Sequence, residues 1–233
     1  MNVETVVSDF LAVNCYVVSA DAAADAGANG RSNAASEVPQ PCVLVDAGLD
    51  AAEGIAEVCA RADLRPVAVL LTHGHPDHVL GLPAILERWQ IPVYLGSADS
   101  YRLDDPIQTL GPEFAAMMGA LAADWRRPQV NDWHPGAPVL VDGLAVRGIG
   151  APGHTEGSTL WELSEPGQRP PLFTGDVLFA SSIGRTDLPG GDSAIMQQTL
   201  DSVIRKLPEA TPVYPGHGPS TTIGRELEGN PFL

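Results

Sequence analysis

Three histidines and an aspartate lie within six residues of one another in the segment THGHPDH, residues 72–78. Side chains two residues apart in an extended chain point the same way, so His73 and His75 can converge on one ion. Asp77 and His78 are adjacent and begin a predicted helix, so their side chains diverge from the first pair. Imidazole nitrogen and carboxylate oxygen suit zinc, iron or manganese, and no cysteine is needed. The segment therefore predicts a metal site.

Three further candidates share one context, a predicted strand that ends in a glycine turn. They are His154, Asp176 and His217. Strand ends on one edge of a sheet bring distant loops together, so these side chains can meet the first cluster. Five histidines and two aspartates are too many ligands for one ion and about right for two.

The charge of such a site indicates its chemistry. Two divalent ions supply four positive charges, the two aspartates remove two and a bridging hydroxide removes one. The remaining positive charge favours an anionic tetrahedral intermediate. The pattern therefore predicts a hydrolytic two-metal site, in which bound water is deprotonated near neutral pH and attacks a polarised carbonyl.

The elements that must position these residues alternate between strands and helices. PVAVLLT, residues 66–72, is a continuous apolar run of strand length, which is typical of a strand covered on both faces. Residues 51–62 have helical periodicity, with Asp50 as the N-cap. Residues 20–41 are rich in small and polar residues and predict a flexible insertion. The pattern predicts a layered α/β sandwich in a single domain, residues 1–233.

Two other regions are open to more than one interpretation. Residues 104–132 predict partial helix, either as a lid over a site or as ordinary packing. A helix is expected over about 192–206, followed by a strand and a polar tail. His134 lacks the strand-and-turn context of the other histidines and is interpreted as a surface or loop residue.

Composition excludes several classes of function. The chain of 233 residues has a net charge of -16 and only one lysine, Lys206, which disfavours binding to nucleic acid. No apolar run is long enough to span a bilayer, and no secretory signal is visible, so a cytoplasmic location is expected. Cys15, Cys42 and Cys59 do not match a disulfide or zinc-knuckle pattern and are interpreted as buried thiols. The oligomeric state cannot be inferred.

The metal motif, with His154, Asp176 and His217 downstream, resembles the metallo-β-lactamase superfamily over essentially the whole chain. The segments SSIGRTDLPGGD and YPGHGPSTTIGRELEGNPFL are similar to the short, glyoxalase II-like hydrolases. This resemblance implies a four-layer αββα sandwich of two mixed β-sheets flanked by helices. It also implies two divalent ions at one edge between the sheets, with zinc as the first choice and iron or manganese as alternatives.

The same resemblance implies a role for each residue of the site. His73, His75 and His154 would hold the first metal, and Asp77, His78 and His217 the second. Asp176 would bridge both. Asp46 matches a family position that supports the site without being a ligand. Arg185 corresponds roughly to a glutathione-contacting position, where it either holds a substrate carboxylate or pairs with Asp187 or Asp192.

The predicted activity is metal-dependent hydrolysis of a thioester of the hydroxyacylglutathione type. A metal-bridging hydroxide would attack the carbonyl, and Asp77 would orient the hydroxide or take its proton. The alternative is a persulfide dioxygenase with one iron, held by His73, His154 and Asp176. A lactonase, an RNA phosphodiesterase and a non-enzymatic metal-binding module are weaker alternatives. β-Lactam hydrolysis is not expected, because the zinc β-lactamases commonly place a cysteine in the second site. The partner is a small anionic molecule, whose acyl group and carrier thiol the sequence does not name.

Overall fold

The computed structural model describes residues 1–21, 38–123, 125–141, 144–164 and 168–233. Most of the predicted insertion, residues 22–37, lies outside the described residues. The described chain forms two six-stranded sheets. The first sheet has the strand order β1-β2-β3-β4-β5-β6, with the bounds β1 Asn2–Val7, β2 Asn14–Ser19, β3 Gln40–Val45, β4 Leu64–Leu70, β5 Val93–Gly96 and β6 Asn131–Trp133.

The second sheet has the order β12-β11-β10-β9-β8-β7. Its strands are β7 Val139–Val141, β8 Leu144–Gly150, β9 Thr159–Ser164, β10 Leu172–Gly175, β11 Pro212–Pro215 and β12 Thr221–Thr222. Both sheets are mixed. In the first, β3 to β6 pair in parallel after an antiparallel meander. In the second, β10 and β11 are parallel and the other neighbours are antiparallel.

Helices lie between the strands. The α-helices of the described residues are α1 Ala51–Ala62, α2 Pro76–Val79, α3 Leu82–Arg88, α4 Pro112–Met118, α5 Ser193–Ser202 and α6 Ile223–Gly229. Short 3-10 helices span Ser97–Asp104, Gln108–Leu110, Gly119–Ala122 and Ile204–Lys206. Pro76 opens α2 at a position where its missing N–H is not needed, which lets the helix begin directly after His75.

Three apolar clusters define four layers. The central cluster joins the facing surfaces of the two sheets, for example Val43 of β3 with Trp161 of β9 and Phe173 of β10. The outer face of the first sheet packs against α1 and α3, and that of the second sheet packs against α5. Since each sheet is covered on both faces, its central strands can be apolar on both sides. This arrangement confirms the predicted αββα sandwich.

The structure also differs from the sequence-based expectations. Asp50 occupies the N-cap position of α1, but its carboxylate accepts hydrogen bonds from the Ser8 hydroxyl and the Asp9 backbone instead of capping the helix. The expected helix over 192–206 ends at Ser202 and continues as a 3-10 turn. The expected polar tail contains α6, because the Thr222 hydroxyl caps Arg225 N–H and starts a helix there.

The described residues of the segment 104–132 include α4 and short 3-10 helices, and the segment ends in β6. It packs through Ile107, Leu110 and Met118 against Leu80 and around Phe10, which fits the packing alternative. No helix in the described part of the chain is both long and apolar enough to cross a membrane.

Candidate metal centre

The first group of converging side chains consists of three imidazoles, those of His73, His75 and His154. The loop after β4 carries His73 and His75, and the loop after β8 carries His154. Nδ1 of His75 lies 3.1 Å from Nε2 of His73 and 2.9 Å from Nε2 of His154, and these two Nε2 atoms are 3.2 Å apart. Ligands of a tetrahedral zinc at about 2.0–2.1 Å lie about 3.3 Å from one another. The triangle therefore has nearly the size that one ion needs.

Hydrogen bonds on the far side of two rings assign their tautomers. His154 Nδ1 lies 2.7 Å from the carbonyl oxygen of Arg185, to which it can only donate. The Thr72 hydroxyl donates to Asp46 and so accepts from His73 Nδ1 at 3.1 Å. Both Nε2 atoms therefore carry a lone pair toward the centre of the triangle, as metal-binding imidazoles do.

The second group consists of Asp77, His78 and His217. Asp77 Oδ2 lies 3.2 Å from Nε2 of His217 and 3.5 Å from Nε2 of His78. His78 is fully buried, and its Nδ1 donates to Asp46 Oδ2 at 2.8 Å. That bond leaves Nε2 of His78 directed at the two carboxylates of Asp77 and Asp176.

Asp176 lies between the two groups. Its Oδ1 is 3.3 Å from His78 Nε2, and its Oδ2 is 3.6 Å from both His154 Nε2 and His217 Nε2. The parallel pairing of β10 and β11 explains this position, since Asp176 and His217 follow neighbouring strands that end at the same edge. One carboxylate thus faces nitrogens of both groups.

Two glycines make this close approach possible. A Cβ at Gly216 would lie 2.3 Å from Asp176 Oδ1 and 2.7 Å from a ring carbon of His78. A Cβ at Gly184 would lie 1.8 Å from the carbonyl oxygen of Asp176 and 2.9 Å from His154 Nδ1. Any larger residue at either position would push a ligand candidate out of place.

Burial and charge shift the pKa values of these groups in opposite directions. Burial lowers the pKa of His73 and of His75 well below the usual range, and neighbouring imidazoles lower it further. Burial also disfavours protonated His78, but nearby aspartates outweigh it and raise its pKa well above normal. Despite burial, His78 holds the pKa of Asp77 and of Asp176 below the usual carboxyl range. The aspartates are therefore ionised, and their negative charges favour the binding of a cation.

The donor set fits a divalent cation. The buried atoms His75 Nε2, His78 Nε2 and Asp176 Oδ1 have no hydrogen-bond partner among the described residues. Two of them, His78 Nε2 and Asp176 Oδ1, face each other at 3.3 Å, and both atoms are metal ligands when His78 is neutral. Leaving such groups unsatisfied is costly, and a cation bound between them would satisfy both.

Asp46 supports the second group without belonging to it. Its carboxylate accepts from the backbone N–H and the hydroxyl of Thr72 and from His78 Nδ1. It is buried and has a φ of 61°, a left-handed conformation that aspartate and asparagine tolerate better than most residues. This contact holds His78 in the tautomer that metal binding requires.

We expect Asp46→Asn to weaken metal binding at the second group by about 10- to 100-fold, because an amide can present its N–H to His78 Nδ1 and disturb that tautomer. Competition between the metal-loaded protein and a chelator measures the change. Asp63→Asn is the matched control, since Asp63 has a similar φ of 51° but is exposed and lies at the C-cap of α1. Equal affinity in both variants would contradict the supporting role.

The remaining candidates lie outside the two groups. Arg185 is exposed, and its guanidinium forms a two-pronged pair with Asp187 at 2.6 and 2.7 Å. His134 is exposed, with its Nδ1 3.0 Å from the Ser97 hydroxyl. The three cysteines are free and buried, as predicted.

Two contributions to the site are not predicted from the sequence. The hydroxyl of Thr72 links Asp46 to His73, and the backbone carbonyl of Arg185 orients His154. Thr72 precedes the first histidine of the motif, and a hydroxyl in that place was an available signal. Every residue has a backbone carbonyl, so residue type does not indicate which carbonyl orients a histidine.

Comparison with solved structures gives several matches over nearly the whole chain. A B3 metallo-beta-lactamase, BLEG-1, has a TM-score of 0.77 and 32% identity, and the match covers 100% of this chain and 99% of that one. TTHA1623, solved in a di-iron-bound form, has a TM-score of 0.74 and 32% identity, with 99% and 100% covered. ETHE1 from Myxococcus xanthus has a TM-score of 0.70 and 25% identity, with 99% and 84% covered.

Sequence comparison agrees with the structural matches. An uncharacterized protein of Mycobacterium tuberculosis is 36% identical, covering 96% of this chain and 93% of its own length. The hydroxyacylglutathione hydrolase GloC of Haemophilus influenzae is 31% identical, covering 82% and 86%. The family model described as the metallo-beta-lactamase superfamily matches residues 37–217, which include the whole cluster of metal-ligand candidates. The chain belongs to the metallo-beta-lactamase superfamily.

Proposed function

We propose that this protein is a metal-dependent hydrolase that cleaves a thioester of the hydroxyacylglutathione type. The observation that carries the proposal is the meeting of seven metal-ligand candidates, from four segments that each follow a strand, in two adjoining groups. The similarity to a hydroxyacylglutathione hydrolase of Haemophilus influenzae supports the choice of substrate.

Each group would hold one divalent ion. His73, His75 and His154 are the proposed ligands of the first ion. Asp77, His78 and His217 are those of the second, and Asp176 is shared between them. When bound, such a pair of ions supplies an activated water at neutral pH and polarises the carbonyl that is attacked. Zinc fits the nitrogen-rich donor set, and the di-iron form of TTHA1623 makes iron a second possibility to be measured.

The chain's own groups then have defined tasks. Asp77 is kept ionised by His78 and His217, so its carboxylate can orient the attacking water and accept its proton. The hydrogen bonds of His73, His78 and His154 to their supporting oxygens hold the rings in place throughout the reaction. A thiolate leaves with little help from an acid, because thiols ionise near pH 8.5. No strong general acid is therefore needed.

Arg185 is the proposed contact for an anionic substrate. Its pair with Asp187 is exposed, so solvent screens the attraction and the guanidinium can exchange Asp187 for a substrate carboxylate. The position is adjacent to the site, since the Arg185 carbonyl accepts from His154.

We expect Arg185→Ala to raise the KM for S-lactoylglutathione more than it lowers kcat, as for a contact that binds substrate and transition state equally. Steady-state kinetics on the metal-loaded variant test this. Arg205→Ala is the matched control, because Arg205 forms an exposed pair with Asp201 after α5. A fall in kcat at unchanged KM would contradict the assignment.

The experiment that tests the function combines two measurements on protein purified without added metal or chelator. Elemental analysis gives the metal stoichiometry, and a hydrolysis assay uses S-lactoylglutathione. Two ions per chain with thioester cleavage are expected. One iron without cleavage would overturn the proposal in favour of a persulfide dioxygenase, which oxygen uptake would then test. A β-lactam assay belongs beside these, because BLEG-1 is a B3 metallo-beta-lactamase at 32% identity. Cleavage of the β-lactam alone would also overturn the proposal.

A further inference from the structure

The 3-10 helix Ser97–Asp104 carries two charged side chains that are completely buried, Asp99 and Arg102. Aspartate and arginine are almost never fully buried unless they are paired and hydrogen-bonded. Neither residue belongs to the two groups of metal-ligand candidates. Their burial beside those groups therefore needs an explanation of its own.

Asp99 connects the two loops that carry the three-histidine group. Its Oδ2 accepts from the backbone N–H of Gly74 at 2.8 Å, and Gly74 lies between His73 and His75. The same oxygen accepts from the Thr155 hydroxyl at 2.8 Å, next to His154. Its Oδ1 accepts from the backbone N–H of Gly157 at 2.7 Å. One carboxylate thus holds the His73–His75 loop against the His154 loop.

Arg102 extends this connection to a third loop. Its Nε lies 3.4 Å from Asp99 Oδ1, and its Nη2 donates to Glu156 and to the carbonyl of Pro189 at 2.9 Å. Pro189 follows Arg185 in the same loop, and the carbonyl of Arg185 accepts from His154 Nδ1. The loop that orients His154 is therefore fixed to the helix of Asp99 as well.

The packing around Asp99 leaves no room for a change in position. A Cβ at Gly157 would lie 2.6 Å from the carboxyl carbon of Asp99, and a Cβ at Gly74 would lie 2.9 Å from Cδ of Arg102. These close approaches mean that the three loops cannot shift independently. The geometry of the histidine triangle depends on the group at their junction.

We infer that Asp99 is a positioning residue for the three-histidine group, acting through the backbone of both ligand loops and supported by Arg102. It sets the spacing of His73, His75 and His154 without touching an ion. The inference rests on the proposed function only in taking these histidines as metal ligands. It holds whichever substrate the site turns over.

The test is the variant Asp99→Asn, compared with wild type by cobalt(II) binding. An amide keeps the size but puts an N–H group against the N–H groups of Gly74 or Gly157. We expect the affinity for the cobalt(II) ion at the three-histidine group to fall about tenfold or more, the size of effect known for groups that support metal ligands. The visible absorption spectrum of that ion should change, while the ion at the second group keeps its affinity. Chelator competition measures the two affinities, and absorption spectroscopy measures the change in the spectrum.

Asp104→Asn is the matched control, because Asp104 lies on the same 3-10 helix but is exposed and paired with Arg127. It should bind both ions like wild type. If Asp99→Asn does not fold, Thr155→Val removes one of the same hydrogen bonds and should weaken the same ion by a smaller factor. Wild-type affinity in the variant that folds, or equal weakening of both ions, would overturn the inference. Failure of wild-type protein to bind an ion at all would instead overturn the proposed function.

Discussion

Asp176→Ala is expected to abolish thioester hydrolysis and to lower the metal occupancy of both groups at once. Asp176 Oδ1 faces His78 Nε2, and Oδ2 faces His154 and His217 at 3.6 Å each. Alanine would leave five imidazoles around two ions, with Asp77 as the only carboxylate to balance their charge. Repulsion between the ions would then weaken both sites.

Elemental analysis of the purified variant, together with the S-lactoylglutathione assay, measures this effect. Asp201→Ala is the control, since Asp201 is an exposed aspartate on α5 whose partner is Arg205. It should keep both ions and full activity. If Asp176→Ala retained two ions per chain, Asp176 would not be shared between the groups, and the ligand assignment would have to change.

The convergence of the metal-ligand candidates could be predicted because it follows from sheet geometry. His73, His154, Asp176 and His217 each follow the end of a strand, and strand ends on one edge meet whatever their separation in sequence. Residue type then identifies the chemistry. The layers of the fold could be predicted for a similar reason, since the apolar run that became β4 indicates a strand covered on both faces.

The supporting groups could not be predicted in the same way. Asp99 lies 25 residues after Gly74 in sequence and belongs to no motif, so only the packing of its helix brings it to the ligand loops. The carbonyl of Arg185 has no residue signature. The helix α6 was missed because its apolar positions are few, and its stability depends on the buried Glu226, which accepts from Ser181 N–H and the Thr221 hydroxyl.

These supporting contacts have one feature in common. Each joins a ligand loop to an element outside it, as Asp46 does for His78 and Arg185 for His154. Loops alone would let the imidazoles move apart when no ion is bound. Because hydrogen bonds on the side away from the ion hold the rings, the rings keep the spacing that an ion needs. Little conformational entropy is therefore lost when the ion binds.

Asp77→Asn is expected to lower kcat for thioester hydrolysis by about 10²- to 10⁴-fold, the range for removal of a general base. Asparagine has nearly the same shape but cannot take a proton from the attacking water. KM should change little, since Asp77 is not a proposed substrate contact. Steady-state kinetics at saturating zinc measure the effect, and Asp132→Asn, an exposed position on β6, is the control.

Metal analysis of the same variant separates two causes of lost activity. Asp77 Oδ2 lies within 3.2 Å of His217 Nε2, so the amide is also expected to weaken the second ion. If added zinc restores two ions per chain but not kcat, the missing step is the proton transfer. If added zinc restores kcat as well, Asp77 acts only as a ligand, and the proton of the attacking water must leave by another route. Full activity without added zinc would remove Asp77 from both roles.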